Sequence, residues 1–237
     1  MSNVKMVKAK LNGEFEIIIP DHRAERPDWY TEEGWEKKRL QAMHKAIGNG
    51  DVVYYVGAEE GEMPALCQMW GAKVVLFEPN PKVWGNTKAI WKANKLDDPK
   101  TFQGFCSNKD NIIDAANAFH DGFPACADDE IIAAHGFKEL YQEADNYNQI
   151  RIDTISDMLP PTLITMDVEG SEYEVLKGAE LTIEKYKPKI FLSLHPEFLF
   201  DQWGVYSNEV RNWIKGKGYK EELIDYQHEV HLYYEAV

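Results

Sequence analysis

The chain is poor in cysteine, short of positive charge, and without a long apolar run. Its three cysteines, Cys67, Cys106 and Cys126, are odd in number and form no Cys-x-x-Cys pair. Three reduced thiols in an intracellular protein, at least one of them buried, are therefore expected rather than a disulfide framework. Lys and Arg number 26 against 40 Asp and Glu, a formal charge of −14. Such a surface repels phosphate backbones and anionic lipid, which argues against nucleic acid and membrane as partners. The adjacent Lys37, Lys38 and Arg39 read as the solvated face of a helix. No apolar run approaches bilayer length, and the opening "MSNVKMVKAK" lacks the apolar segment of a signal peptide, so a cytoplasmic location is expected. What is plentiful is core material. With 44% hydrophobic and 12% aromatic residues in 237, one α/β domain of ordinary size can be filled.

The chain divides at residue 50. Two β-prone runs flank Asn12-Gly13, a hairpin signal. Thr31 then caps a helix whose stripe is Trp35, Leu40, Met43 and Ile47, stopped by Gly48 and Gly50. Residues 1–50 form an extension, and 51–237 the main domain. From Asp51 strands and helices alternate: strand Val52–Val56, helix Glu60–Trp70, strand Lys73–Glu78, helix Pro81–Asn94, strand Thr101–Cys106. Asn111–Phe119 reads as helix, "HDGFPACADDE" as loop, and Gln149–Thr154 as strand. Strands Leu163–Asp167 and Ile190–His195, a helix over Ser207–Lys217, and a hairpin of Tyr219–Asp225 with Val230–Tyr234 complete the chain. This alternation predicts a doubly wound, mostly parallel sheet with helices on both faces.

In such a sheet ligands sit beyond the carboxyl ends of the strands. Gly57 follows the first strand of the domain, where a missing Cβ lets a ligand approach the backbone. Gly61 lies where the next helix begins. The Gly-x-x-x-Gly spacing departs from the Gly-x-Gly-x-x-Gly of dinucleotide enzymes, and Glu59, Glu60 and Glu62 crowd the turn with negative charge. That repels a diphosphate and welcomes a cation, which disfavours a nicotinamide-dependent dehydrogenase. Glu78, at the end of the second strand, stands where a carboxylate accepts two hydrogen bonds from a ribose diol. A cationic, ribose-containing ligand without phosphate points to S-adenosylmethionine.

Three blocks, "VGAEEGEMPALCQMWGAKVVLFEPNPKVWGNTKAI", "RIDTISDMLPPTLITMDVEGSEYEVLKGAE" and "IFLSLHPEFL", make the sequence resemble the FkbM family of S-adenosylmethionine-dependent methyltransferases over roughly residues 51–200. The resemblance implies a class I methyltransferase fold, Rossmann-like, with a seven-stranded sheet ending in a hairpin. It implies O-methyl transfer to a sugar or another small-molecule or glycan hydroxyl. It places Gly57, Ala58, Glu59 and Gly61 in the cofactor loop, Glu78 on the ribose, Asn80 near it, Ser107 near the adenine, and Asp167 at the methyl-transfer site. The family's usual acid before Val-Gly-Ala is Tyr55 here, a charge that Glu59 or Glu60 would have to replace. An acid common two residues before His195 is Ser193. A non-catalytic binding module that kept the fold is the alternative these departures leave open.

Methyl transfer needs a positioned, deprotonating hydroxyl. His195, ending a buried strand, is the candidate general base; a core or neighbour-holding histidine is the competing reading. Asp167 would orient the base, meet the methionine amine or take the proton. Glu169 and Glu172 share a helix face, with complementing the helix dipole the blander role. No ligand pattern demands a metal ion. His228 and His231 in "HEVH" would fall on opposite faces of a strand, and His120 with Asp121 suits a surface turn or an acceptor loop.

Overall fold

The structure is a computed structural model and describes residues 5–25, 34, 36–128, 144–227 and 229–237. Thr31, Trp35 and His228 lie outside the described residues. The chain opens on the hairpin β1 (Met6–Leu11) and β2 (Phe15–Pro20). Its turn puts Asn12 and Gly13 at φ of 53° and 70°, the left-handed region these two residues tolerate best. A short helix α1 (Asp21–Ala24) and the helix α2 (Lys37–Ala46) follow. Then come β3 (Val52–Val56), α3 (Glu62–Met69), β4 (Lys73–Phe77), α4 (Trp84–Ala93) and β5 (Lys100–Phe102). The short strands β6 (Phe105–Cys106), β7 (Phe119–Asp121) and β8 (Gln149–Ile150) occupy the middle of the chain. The rest is β9 (Leu163–Met166), α5 (Glu172–Gly178), α6 (Glu180–Tyr186), β10 (Lys189–Leu194), α7 (Pro196–Trp203), α8 (Ser207–Gly216), β11 (Tyr219–Tyr226) and β12 (Val230–Ala236).

Eight strands form the main sheet, in the order β11-β12-β10-β9-β3-β4-β5-β7. β10, β9, β3, β4 and β5 are parallel neighbours, and β12 runs antiparallel between β10 and β11. The expected seven strands are all present with their terminal hairpin. The eighth, β7, pairs antiparallel with β5 at the edge. It falls at the end of the stretch Asn111–Phe119, which was expected to be helical. That stretch is instead extended, with one 3₁₀ turn at Ala115–Asn117. The Asn148 side chain accepts from the N–H groups of Ile113 and Asp114 at 3.0 and 2.9 Å, and Asn111 bridges to Gln149. Backbone donors captured this way are unavailable to a helix. Similarly, Gln149–Thr154 is strand only at its first two residues. Asp110 Oδ1 then accepts from the Arg151 N–H and the Thr154 hydroxyl, and Ile152–Thr154 turn as a 3₁₀ helix.

Every residue of β3 is buried, and successive side chains feed opposite faces. Tyr54 and Val56 pack with Phe77, Ile164 and Leu192 on one face. Val53 and Tyr55 pack on the other with Leu66, Trp84 and Trp91, under a cover formed by Ile17 and Ile19 of the hairpin and Leu40 and Met43 of α2. Each fully buried apolar side chain contributes on the order of 1.5–3 kcal/mol, so the hairpin and α2 are part of the same core as the sheet. One polar residue goes with them. Arg39, expected on a solvated face, is only 2% exposed because its guanidinium crosses to the strand ends described next.

Candidate functional site

The carboxyl ends of β3, β4 and β9 open into a cleft walled by Gly57, Glu59, Phe77, Glu78, Phe105 and Asp167. Gly57 has φ of 81°, and a Cβ there would lie 2.0 Å from the Asp167 carbonyl oxygen. The glycine is therefore required by the neighbouring strand end before any ligand arrives. Gly61, at φ of 93°, would bring a Cβ to 2.7 Å from Thr87 Cγ2; it lets α3 pack against α4 and stands behind the cavity wall. Ala58 is buried beneath the turn. Of the three acids in the turn, only Glu59 lines the cavity. Glu60 and Glu62 are buried on Arg23, with Arg23 Nη1 at 3.4 Å from Glu60 Oε1 and Arg23 Nε at 2.7 Å from Glu62 Oε1. The crowding of charge read from the sequence is thus mostly neutralised internally. Burial raises the Glu59 carboxyl well above its usual range, with Arg23 opposing.

Glu78 is 3% exposed. Its Oε1 accepts from the Asn80 N–H at 2.8 Å and its Oε2 from the Glu59 N–H at 3.0 Å. Burial pushes its pKa up to about 7 against those two hydrogen bonds. Asn80 uses its own side chain to accept from the Lys82 N–H at 3.0 Å, which starts the turn into α4. Ser107 lies outside this cavity, in an adjoining groove with Gln202 and Trp203; Phe105 and Cys106 belong to both. His120 and Asp121 lie on the edge strand, Asp121 paired with Lys100, and they do not wall the cavity.

At the end of β10, His195 sits in a ring of carboxylates. Its Nδ1 is 2.7 Å from Glu172 Oε1, and its Nε2 is 3.2 Å from Glu229 Oε2, 3.6 Å from Asp167 Oδ1 and 3.7 Å from Glu169 Oε2. Burial opposes a charge on the ring, but the bonds to Glu172 and Glu229 and the field of Asp167 outweigh it and raise its pKa to about 11. A general base at His195 would have to release the proton that these carboxylates favour on the ring. Burial raises Asp167 to about 6 against the pull of Arg39 and His195. Arg39 joins the same cluster from α2, with Nη2 at 2.9 Å from Thr165 Oγ1, Nη1 at 3.3 Å from Asp167 Oδ2, and an ion pair to Glu36. His231, discounted on its strand spacing, is buried beside the cluster, with Nδ1 3.0 Å from Ser193 Oγ and Nε2 3.4 Å from Glu229 Oε1. Sequence reasoning missed Arg39, Glu36 and Glu229. Only the last carried a signal, as the acid between two histidines in "HEVH".

Five parallel strands with an antiparallel strand inserted beside the fifth, and a cavity at their carboxyl ends, define a class I methyltransferase fold. The FkbM methyltransferase domain matches residues 51–221, and the chain belongs to that family. Among solved structures, the chain is similar to an FkbM methyltransferase from Methylobacillus flagellatus KT, at 20% identity and a TM-score of 0.51. That likeness covers 78% of this chain and 43% of the other, so the chain spans under half of that protein's length. It is similar to Trm5b from Pyrococcus abyssi at 16% identity and a TM-score of 0.55, over 99% of this chain and 56% of the other. Both likenesses speak for the fold. No curated protein matches the chain. Among the described residues no helix is long and apolar enough to cross a membrane.

Proposed function

We propose that the chain is an S-adenosylmethionine-dependent methyltransferase that methylates a hydroxyl of a small-molecule or glycan acceptor. The observation that carries this reading is Glu78. A buried carboxylate whose two oxygens each accept one backbone N–H keeps a second lone pair on each for a ribose diol. Among the described residues no cationic side chain lines the cavity wall beside it. Around it, Phe77, Phe105 and Val168 offer apolar surface for a purine, while Asp167 and Glu169 offer negative charge for a cationic tail and Glu59 lines the turn beside them. Gly57 and Ala58 form the turn under the ligand. Gly61, Asn80 and Ser107 hold, respectively, the helix behind that turn, the strand end, and the floor of the adjoining groove.

S-adenosylmethionine, when bound, supplies an electrophilic methyl group on a sulfonium centre. The chain's own residues do the rest. Asp167 and Glu169 turn carboxylate oxygens toward the cavity and are the groups able to receive the acceptor's proton. His195 is fixed between them and Glu172 and holds their geometry. The groove with Gln202 and Trp203, joined to the cavity at Phe105 and Cys106, seats the acceptor beside the methyl. Residues 51–237 carry this site, and 1–50 act as an extension that supplies Arg39 to it. Calorimetric titration of the full chain with S-adenosylmethionine tests the reading. Micromolar binding, followed by a mass gain of one methylene in a metabolite screen, supports it. Absence of binding at millimolar concentration overturns it in favour of a non-catalytic module.

A further inference from the structure

We propose that His195 Nε2, Asp167 Oδ1 and Glu169 Oε2 form a binding site for a divalent first-row cation such as Mn²⁺. These three atoms lie within 4.8 Å of one another, with Nε2 at 3.6 Å from the first oxygen and 3.7 Å from the second. Both distances are too long for hydrogen bonds. They suit shared ligation instead. Two ligand atoms about 2.1 Å from one ion stand roughly 3.0 Å apart at a right angle and roughly 3.5 Å apart at a tetrahedral one.

The surroundings are arranged as for a ligating histidine. Its other nitrogen, Nδ1, is 2.7 Å from Glu172 Oε1, and that carboxylate is held by the Gly170 N–H at 3.0 Å. Glu172 is fully buried. A buried carboxylate accepting the Nδ1 proton fixes the ring, the outer arrangement typical of metal-bound imidazole, and a cation at Nε2 takes the place of the proton that Nε2 shares with Glu229 Oε2 at 3.2 Å. Asp167 is likewise divided. Arg39 serves Oδ2 at 3.3 Å, and Oδ1 is the oxygen that faces Nε2. The Asp167 and Glu169 side chains are 25% and 43% exposed, which leaves positions open to the cavity for water or an acceptor hydroxyl.

A second observation comes from the next shell. The His231 side chain is 1% exposed, and its Nε2 makes no hydrogen bond although it lies 3.4 Å from Glu229 Oε1. In the tautomer that carries the ring proton on Nε2, Nδ1 accepts from the Ser193 hydroxyl at 3.0 Å. Glu229 thus stands between two histidines, with Oε2 on His195 and Oε1 toward an unused donor. If a cation takes the His195 lone pair, His231 is the donor that keeps Glu229 satisfied. Four carboxylates (Asp167, Glu169, Glu172, Glu229) against one guanidinium and one imidazolium leave negative charge that a divalent ion in place of the imidazolium proton balances further. One imidazole with two carboxylates suits the nitrogen- and oxygen-preferring first-row ions better than a cation that wants oxygen alone.

Binding at this site stands apart from the reading of S-adenosylmethionine use; only its service in methyl transfer rests on that reading. The test is titration of the full, metal-free chain with Mn²⁺, followed by the loss of the free-ion electron paramagnetic resonance signal. A single Mn²⁺ at micromolar affinity is expected, weakened by at least about tenfold in Glu169→Gln and in His195→Ala. Glu169 is half-exposed, so its variant stays folded even if the histidine variant does not. Failure to bind below millimolar Mn²⁺, or unchanged affinity in Glu169→Gln, overturns the proposal. S-adenosylmethionine binding without Mn²⁺ binding ends the cation site and leaves the methyltransferase reading; Mn²⁺ binding without S-adenosylmethionine binding does the reverse.

Discussion

Arg39 Nη1 stands 3.3 Å from Asp167 Oδ2, across 128 positions of sequence. The guanidinium also binds Thr165 and pairs with Glu36, so the helix before the sheet supplies the cation for the buried Glu36 and the half-buried Asp167. Arg39→Met removes it and leaves Glu36 in the interior without that cation and Asp167 facing His195 alone. The expected loss is about 3–5 kcal/mol of stability, read as a lower midpoint in urea. Arg39→Lys should recover little of it, because an ammonium cannot span three acceptors as the planar fork does. An unchanged midpoint in Arg39→Met would show that the cluster holds itself together without the extension.

Glu78→Ala should weaken S-adenosylmethionine binding about tenfold or more, since hydrogen bonds to a charged group are worth roughly 1.5–3 kcal/mol. Isothermal titration calorimetry measures this directly. An unchanged dissociation constant would remove Glu78 from the ribose position.

The same residue sets a pH dependence. Its folded pKa is raised to about 7 by burial, so below that value the native state holds a proton that the unfolded chain releases. Its contribution to stability therefore falls as pH rises from the usual carboxyl range to about 7. Cofactor affinity moves the other way, because the diol donates to the charged carboxylate. Affinity should rise by roughly tenfold between about pH 6 and about pH 8 and lose that dependence in Glu78→Gln. A flat profile in the native protein would place the carboxylate outside the binding step.

The 2.0 Å approach of a Cβ at Gly57 to the Asp167 carbonyl oxygen predicts that even Gly57→Ala separates β3 from β9 and lowers the melting temperature. Thermal unfolding followed by circular dichroism measures this. A stable, normally melting Gly57→Ala would show that the turn has room.

Trp203, 48% exposed at the edge of the groove next to the cavity, presents a flat apolar face to an acceptor. Trp203→Ala should raise the acceptor KM several-fold and leave the S-adenosylmethionine dissociation constant unchanged. Equal losses in both would place the groove within the cofactor site.

Most of the sheet was legible because its signals are local. Asn12-Gly13 between alternating runs makes a hairpin wherever it occurs. The buried runs Val52–Val56, Leu163–Met166 and Lys189–Leu194 carry the apolar density of strands covered on both faces. The stretch from Asn111 to Thr154 was misread because side chains distant in sequence decide it. Asn148 and Asp110 capture backbone donors and hydroxyls up to 44 residues away, and no propensity records that.

By itself the sequence determined the strand order's raw material, the family to which the chain belongs, and two carboxylates at strand ends, Glu78 and Asp167. Each follows from local pattern, since burial period and turn chemistry are properties of neighbouring residues. Tertiary structure alone decided the company those carboxylates keep. It buried Glu60 and Glu62 on Arg23, brought Arg39 from α2 and Glu229 from the last hairpin to the ends of β9 and β10, and set His195 among four acids. Ionisation and ligation depend on charges within a few ångströms, and in a parallel sheet residues that close are supplied by segments far apart along the chain.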